Sequence, residues 1–155
     1  RTLNGPSLSK AWGARTDLRT RTVSVGLPLP PILQEVAHRM LRCAPGLLGS
    51  WRPNEANAID YRPADGHYLA HHCDDRQLSG DVLANLSLVG SAHMSYVDDR
   101  PCSQRAKVRV ALPNRSLQLQ TGEVRFDWRH GIDPDDFHAA RRVSITFRQA
   151  RLTLP

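Results

Sequence analysis

The sequence contains almost no lysine. Only Lys10 and Lys107 occur, and every other basic residue among its 155 positions is an arginine. Cysteine is also scarce. Cys43, Cys73 and Cys102 make an odd count with no C-x-x-C spacing, which argues against a disulfide framework and suits a reducing compartment. A zinc domain would need another cysteine or histidine at close spacing. No run of about 18 apolar residues exists, so no helix to span a membrane is available. The longest apolar stretch, Val23 to Leu33, is broken by prolines. Internal repeats, low-complexity tracts and a Ser/His/Asp arrangement are absent as well.

What remains describes one globular, loop-rich domain. The chain is 40% hydrophobic and carries 11 prolines, enough for a real core. The net charge is +6, with a pI near 9.9. Such a balance favours polyanions, and arginine makes bidentate phosphate contacts. A compositional bias toward arginine accounts for the same excess. The basic residues are spread along the chain and form no single stripe.

Residues 1–30 lack periodicity and read as an irregular extension. Its first part is rich in Arg, Ser and Thr, with Asp17 as its one early acid, and fits either a transit peptide or a segment that touches substrate. From Pro31, "PILQEVAHRMLRCAPG" predicts a helix whose stripe is Ile32, Val36, Met40 and Leu41, stopped by Pro45-Gly46. After Gly49 short strands follow: "VLANLSLVG", "AHMSYV", "KVRVALP", "SLQLQTG", "VRFDW" and "RRVSITFRQARLTL". Their spacing predicts a mainly β sandwich or jelly roll with a flanking N-terminal helix. The last strand alternates Val143, Ile145 and Phe147 against Arg142, Ser144, Thr146 and Arg148. The polar set suits the inner wall of a barrel that holds an anion.

His72-Cys73-Asp74 is the only H-x-D in the chain. On a strand, positions i and i+2 share a face, so an imidazole and a carboxylate can meet one metal ion. A solvated polar turn explains the same tripeptide. A metal site of two histidines and one carboxylate needs a distal histidine, for which His93, His130 and His138 are candidates. His130 follows "VRFDW" at a strand end, whereas His138 lies in the acidic loop "DPDDFHAA" and reads as exposed. His71 falls on the opposite face from His72. Arg142 and Arg148 form one of three R-x5-R pairs and alone lie on a strand with a hydroxyl-bearing face.

Tyr61, "GHYLAHHCDD", "LANLSL", "LPNRSLQLQTGEVRFDWRHGI" and "RRVSITFR" occur in that order. Over Asn54 to Arg148 this resembles the AlkB family of Fe(II)/2-oxoglutarate dioxygenases, closest to the branch of AlkB homologue 4 and the plant and algal AlkB-like proteins. The resemblance implies a double-stranded β-helix over residues 31–155, with residues 1–30 as an N-terminal extension and substrate-recognition lid. It implies Fe(II) held by His72, Asp74 and His130, with 2-oxoglutarate and O2 as cosubstrates. Arg142 would pair with the distal carboxylate of 2-oxoglutarate, Tyr61 would hydrogen-bond the same region, and Arg148 would lie nearer the metal-proximal carboxylate. Two positions depart from the family. Ile59 stands where an asparagine is common, with Asn57 as its stand-in, and Ser144 stands where some relatives carry asparagine.

The implied activity is oxidative demethylation of N-methylated nucleobases, N6-methyladenine or a related lesion, in DNA or RNA, releasing formaldehyde, succinate and CO2. Demethylation of methyl-lysine in protein is the alternative, with Asp75, Asp98 and Asp99 as an acidic rim. A non-catalytic binding barrel is the third reading, against which the intact ligand set argues. Asp75 and Arg76 either orient substrate or form a polar loop. Trp51 reads as core, and Trp12 is open. The expected setting is intracellular, in nucleus, cytoplasm or an organelle, with no membrane partner.

Overall fold

The computed structural model describes residues 7–101 and 106–152. In chain order its elements are β1 (Leu8–Gly13), β2 (Arg15–Asp17), β3 (Thr22–Ser24), α1 (Pro31–Cys43), α2 (Pro45–Leu48), β4 (Glu55–Tyr61) and β5 (Leu69–His72). There follow β6 (Ser79–Val89), β7 (Ala92–Asp98), β8 (Lys107–Leu112), β9 (Leu117–Gln120), α3 (Gly122–Asp127), β10 (Trp128–Ile132) and β11 (Arg142–Ala150). Two antiparallel sheets carry the fold. The larger has the order β1-β4-β11-β6-β9 and the smaller β5-β10-β7-β8, while β2 and β3 form a separate hairpin. The result is the expected mainly β jelly roll.

The larger sheet is two-faced because its strands alternate. Ala56, Ala84, Ile145 and Phe147 point to one side and pack with Leu33, Ala37, Met40, Leu48 and Trp51. That cluster joins α1 to the sheet and confirms Trp51 as core. The opposite side presents Asn57, Tyr61, Asn85, Arg142, Ser144, Thr146 and Arg148 to a cavity shared with the smaller sheet. Tyr61, Leu69, Met94, Tyr96, Leu112 and Ile132 close that cavity with a second apolar cluster.

Three local expectations are corrected. Of the expected stripe Met40 is buried and Val36 and Leu41 pack against the core, but Ile32 is 69% exposed and the helix buries Leu33 and Ala37 in its place. Two overlapping stripes were available on this amphipathic segment, and docking selects the one that puts small Ala37 against the sheet. Residues 8–13 are not irregular, since β1 pairs with β4 from Leu8↔Asp60 to Gly13↔Glu55. An edge strand held by backbone pairing buries few side chains, so no alternation marks it. "VRFDW" is not a strand. Residues 122–127 are helical, entered through Gly122 at φ +57°. Its apolar alternation suited a strand, but Arg125 is the residue that goes inside.

Cys43 and Cys73 are free thiols, and Cys102 lies outside the described residues. Among the described residues no helix is long and apolar enough to cross a membrane.

The helix register is testable by chemical denaturation. Leu33→Ala should destabilise by about 2–5 kcal/mol. Ile32→Ala should change stability by less than about 0.5 kcal/mol.

Candidate metal and cosubstrate site

β5 and β10 run antiparallel with His130 directly opposite His72. This close approach depends on Gly131. A Cβ there would lie 2.8 Å from the His71 ring and 2.8 Å from the Leu69 carbonyl, and the latter is backbone that cannot step aside. Asp74 sits just past the end of β5. Its Oδ1 is 3.0 Å from His72 Nε2 and 3.9 Å from His130 Nε2. One ligand atom from each of these three residues lies within 4.8 Å of the others. His72 Nδ1 lies 2.7 Å from the Ala70 carbonyl. With a metal on Nε2, Nδ1 would donate to that carbonyl, the usual way a ligating imidazole is oriented. His71 instead approaches Asp133 at 3.7 Å, away from the triad.

Two arginines, Arg125 fully buried and Arg148 largely shielded, hold Asp74. Arg148 Nε donates to Asp74 Oδ2 at 2.6 Å. Arg125, from α3, donates to the carbonyls of Asp74 at 3.1 Å, Asp75 at 2.7 Å and Gly80 at 3.3 Å, clamping the loop that carries the ligand. Burial alone would raise the Asp74 carboxyl. The charge of Arg148 and the contacts of His72 and His130 outweigh it and hold the group well below the usual carboxylate range. His130 goes the other way. Burial drives its pKa down to about 4, against the pull of Asp74, so it is neutral and ready to ligate near pH 7.

The other half of the cavity is built for an anion. Arg142 is 1% exposed on β11. It donates to Ser144 Oγ at 2.7 Å, Asn85 Oδ1 at 3.1 Å and Ser87 Oγ at 3.2 Å. These partners are neutral, and Arg142 Nε is buried without one. Burial lowers its pKa, and among the described residues no carboxylate balances it. Its guanidinium carbon lies 5.8 Å from the Tyr61 ring centroid. Burial pushes the Tyr61 phenol up to about 12, so it stays neutral and can donate. Thr146 Oγ1 accepts from Asn85 Nδ2 at 2.8 Å, completing the polar wall.

The structure therefore gathers every site residue expected from the sequence around one cavity of about 250 Å³: His72, Asp74, His130, Asn57, Tyr61, Arg142, Ser144 and Arg148. Arg148 is turned toward Asp74. Ile59 lines the wall between Asn57 and Tyr61. His93 and His138 face each other with ring nitrogens 2.5 Å apart and take no part in the lining. Trp12 is half-buried on β1 against the α1 side of the sheet, under the Lys10 ammonium. Arg125, Glu55, Thr16 and Leu18 were not singled out from the sequence. Arg125 meets backbone carbonyls, which leave no residue pattern, and the others sit on or beside the unrecognised edge strand.

A His/Asp/His set open toward a cavity, with an uncompensated buried guanidinium across from it, fits Fe(II) and a dicarboxylate such as 2-oxoglutarate. Two measurements follow. Arg125→Met should cost roughly 3 kcal/mol in denaturant titrations, because three charge-assisted hydrogen bonds are lost. The metal-free protein should lose stability as pH falls from 6.5 toward 4. In that window the unfolded chain protonates His130 and the folded chain does not, a difference of roughly 3 kcal/mol at full protonation. His130→Gln should flatten that slope.

Comparison with known proteins agrees with this geometry. Residues 2–148 match the model of the 2OG-Fe(II) oxygenase superfamily. The human protein "Alpha-ketoglutarate-dependent dioxygenase alkB homolog 4" is 33% identical over 148 aligned residues, covering 78% of this chain and 48% of that protein. The mouse "tRNA (carboxymethyluridine(34)-5-O)-methyltransferase ALKBH8" is 35% identical, over 83% of this chain and 18% of that protein. The "DNA N6-methyl adenine demethylase" of Caenorhabditis elegans is 28% identical, over 66% of this chain and 34% of that protein. The solved structure of OsALKBH1 superposes with a TM-score of 0.70 at 16% identity, covering 96% of this chain and 81% of that one, a likeness of fold. This chain spans about half the length of the AlkB homolog 4 proteins it matches. With the family's ligand types meeting in one cavity of a jelly roll, the chain belongs to the 2OG-Fe(II) oxygenase superfamily, among relatives of AlkB.

Proposed function

We propose that this chain is an oxidative demethylase of N-methylated nucleobases, N6-methyladenine or a related base, in DNA or RNA. The observation that carries the substrate class is the arginine-rich net charge of +6, which favours a polyanion. Exposed Arg19 and Arg76 follow, outside the strands, two residues that line the cavity, Leu18 and Asp75, whereas Arg15 and Arg129 alternate to the far face of their strands from Thr16 and His130. Arginines placed like Arg19 and Arg76 meet backbone phosphates while a base enters. The rim carboxylates offer little to a cationic lysine. Asp75 is already paired with Arg21 at 2.8 Å, and Asp98 with Arg100 at 2.7 Å, while Asp98 and Asp99 do not line the cavity. The nematode relative, a DNA N6-methyl adenine demethylase by name, points the same way.

In this reading His72, Asp74 and His130 hold Fe(II), which with 2-oxoglutarate and O2 supplies the oxidation of an N-methyl C–H bond and releases succinate and CO2. Arg142 binds the far carboxylate of 2-oxoglutarate, with Ser144 and Tyr61 beside it. Asn57 and Arg148 line the same wall. Leu69, Met94, Ile132 and Leu83 keep the cavity poor in water. A pocket of about 250 Å³ lies below the roughly 300–1,000 Å³ typical of drug-sized ligands. It suits the cosubstrate and the methylated edge of a base flipped out of its stack or already single-stranded. The hydroxylated methyl group then leaves as formaldehyde without a general base. This reading implies work wherever nucleic acid is held, in nucleus, cytoplasm or an organelle, with the part of the N-terminal extension that carries Thr16 and Leu18 beside the mouth.

The test is formaldehyde release from an N6-methyladenine oligonucleotide and from a methyl-lysine peptide, each with Fe(II) and 2-oxoglutarate. Turnover of the oligonucleotide should vanish in His72→Ala, and its KM should rise with salt as phosphate contacts are screened. Arg142→Met should abolish 2-oxoglutarate binding. Formaldehyde from the peptide alone would move the substrate to protein.

A further inference from the structure

We propose that Glu55 is a positioning residue for the metal centre. Acting through Arg148 it fixes which oxygen of Asp74 faces the ion, and through Thr16 it ties that setting to the β2–β3 hairpin at the cavity mouth. The proposal rests on reading His72, Asp74 and His130 as the metal ligands.

Asp74 has two carboxylate oxygens with different surroundings. Oδ1 points to the imidazoles, 3.0 Å from His72 Nε2. Oδ2 is taken by Arg148 Nε at 2.6 Å. While that contact holds, Asp74 can offer a metal one oxygen only, and three positions stay open for 2-oxoglutarate and O2. The setting therefore depends on where the Arg148 guanidinium lies.

One contact does not fix a guanidinium, because the side chain can turn about its stem. Glu55 supplies the second. It stands directly opposite Arg148 in the β4–β11 register, and its Oε1 lies 3.5 Å from Arg148 Nη1. Two carboxylates on different nitrogens set the plane of the fork. Both side chains are shielded, Arg148 18% and Glu55 14% exposed, so water competes weakly. Glu55 also shares the charge of Arg148. A guanidinium serving Asp74 alone would neutralise the ligand and weaken its hold on a cation, whereas one divided between two carboxylates leaves Asp74 more of its charge.

The other oxygen of Glu55 reaches outward. Oε2 accepts from Thr16 Oγ1 at 3.0 Å. Thr16 is the middle residue of β2, and Leu18, just beyond it, lines the cavity. Arg21 then donates to Asp75 at 2.8 Å, next to the ligand itself. The hairpin is thus tethered to the metal centre twice, through Thr16–Glu55–Arg148–Asp74 and through Arg21–Asp75. A substrate that displaces the hairpin pulls on the carboxylate that holds the ion.

Co(II) titration of the whole chain tests this, reading affinity and the visible absorption bands, alongside thermal unfolding of the metal-free protein. Glu55→Gln should weaken Co(II) binding about tenfold and shift the bands, with the unfolding midpoint unchanged. Thr16→Val should shift the bands in the same direction and weaken binding about threefold, the share of one hydrogen bond. A Glu55→Gln protein with the parent's affinity and bands would overturn the proposal, as would weaker binding that merely follows a lower midpoint with the bands in place. Parent-like behaviour of Thr16→Val would remove the tie to the hairpin. A parent protein that bound no Co(II) would overturn the metal-centre reading, and the proposal with it.

Discussion

A guanidinium taken out of water must find oxygen, and this small domain buries Arg125 and Arg142 and shields most of Arg148, in or beside one cavity. Desolvation is expensive for each, and the three are satisfied differently. Arg125 is surrounded by backbone carbonyls, so its charge is spent on holding a loop still. Arg148 lies between Asp74 and Glu55, so its charge is absorbed by the metal centre. Arg142 has hydroxyls and an amide only. Its deficit is one negative charge, and a carboxylate-bearing cosubstrate supplies it. The site is readable as a charge account in which one column is left open.

That arrangement needs a sheet with two unlike faces. On β11, Ile145 and Phe147 serve the core under α1, while Arg142, Ser144, Thr146 and Arg148 serve the cavity. The period-two geometry of a strand separates them without further machinery. The smaller sheet contributes the imidazoles by placing His72 opposite His130, at a spacing that only a glycine at 131 permits.

Much of this was legible in the sequence, and the reasons differ by residue. The polar face of β11 was visible because its alternation is strict and its hydroxyls and arginines are out of place on a solvated strand. His72 and Asp74 were visible as the one H-x-D; His130 was reached as a histidine at a strand end, but it stands in the middle of β10, so the residue was right and the stated position was not. Arg125 was not, because its acceptors are main-chain atoms and its segment, "VRFDW", alternates like a strand while folding as a helix. Glu55 was not, because its meaning lies in standing across from Arg148, a register no local pattern encodes. β1 left no trace because backbone pairing at an edge demands little of its side chains. The α1 stripe was right at Val36, Met40 and Leu41 and wrong at Ile32, because two apolar faces overlap and only docking brings Leu33 and Ala37 inside.

The pairing of His72 with His130 has a kinetic consequence. The two ligands are remote in sequence and meet only when β5 and β10 have been brought together, a long-range pairing that must close a large loop of chain. A metal ion therefore has no complete nucleus to bind while the chain is still open. Where that pairing forms after the rate-limiting step of folding, metal binding prolongs the life of the folded state and does little to hasten its formation.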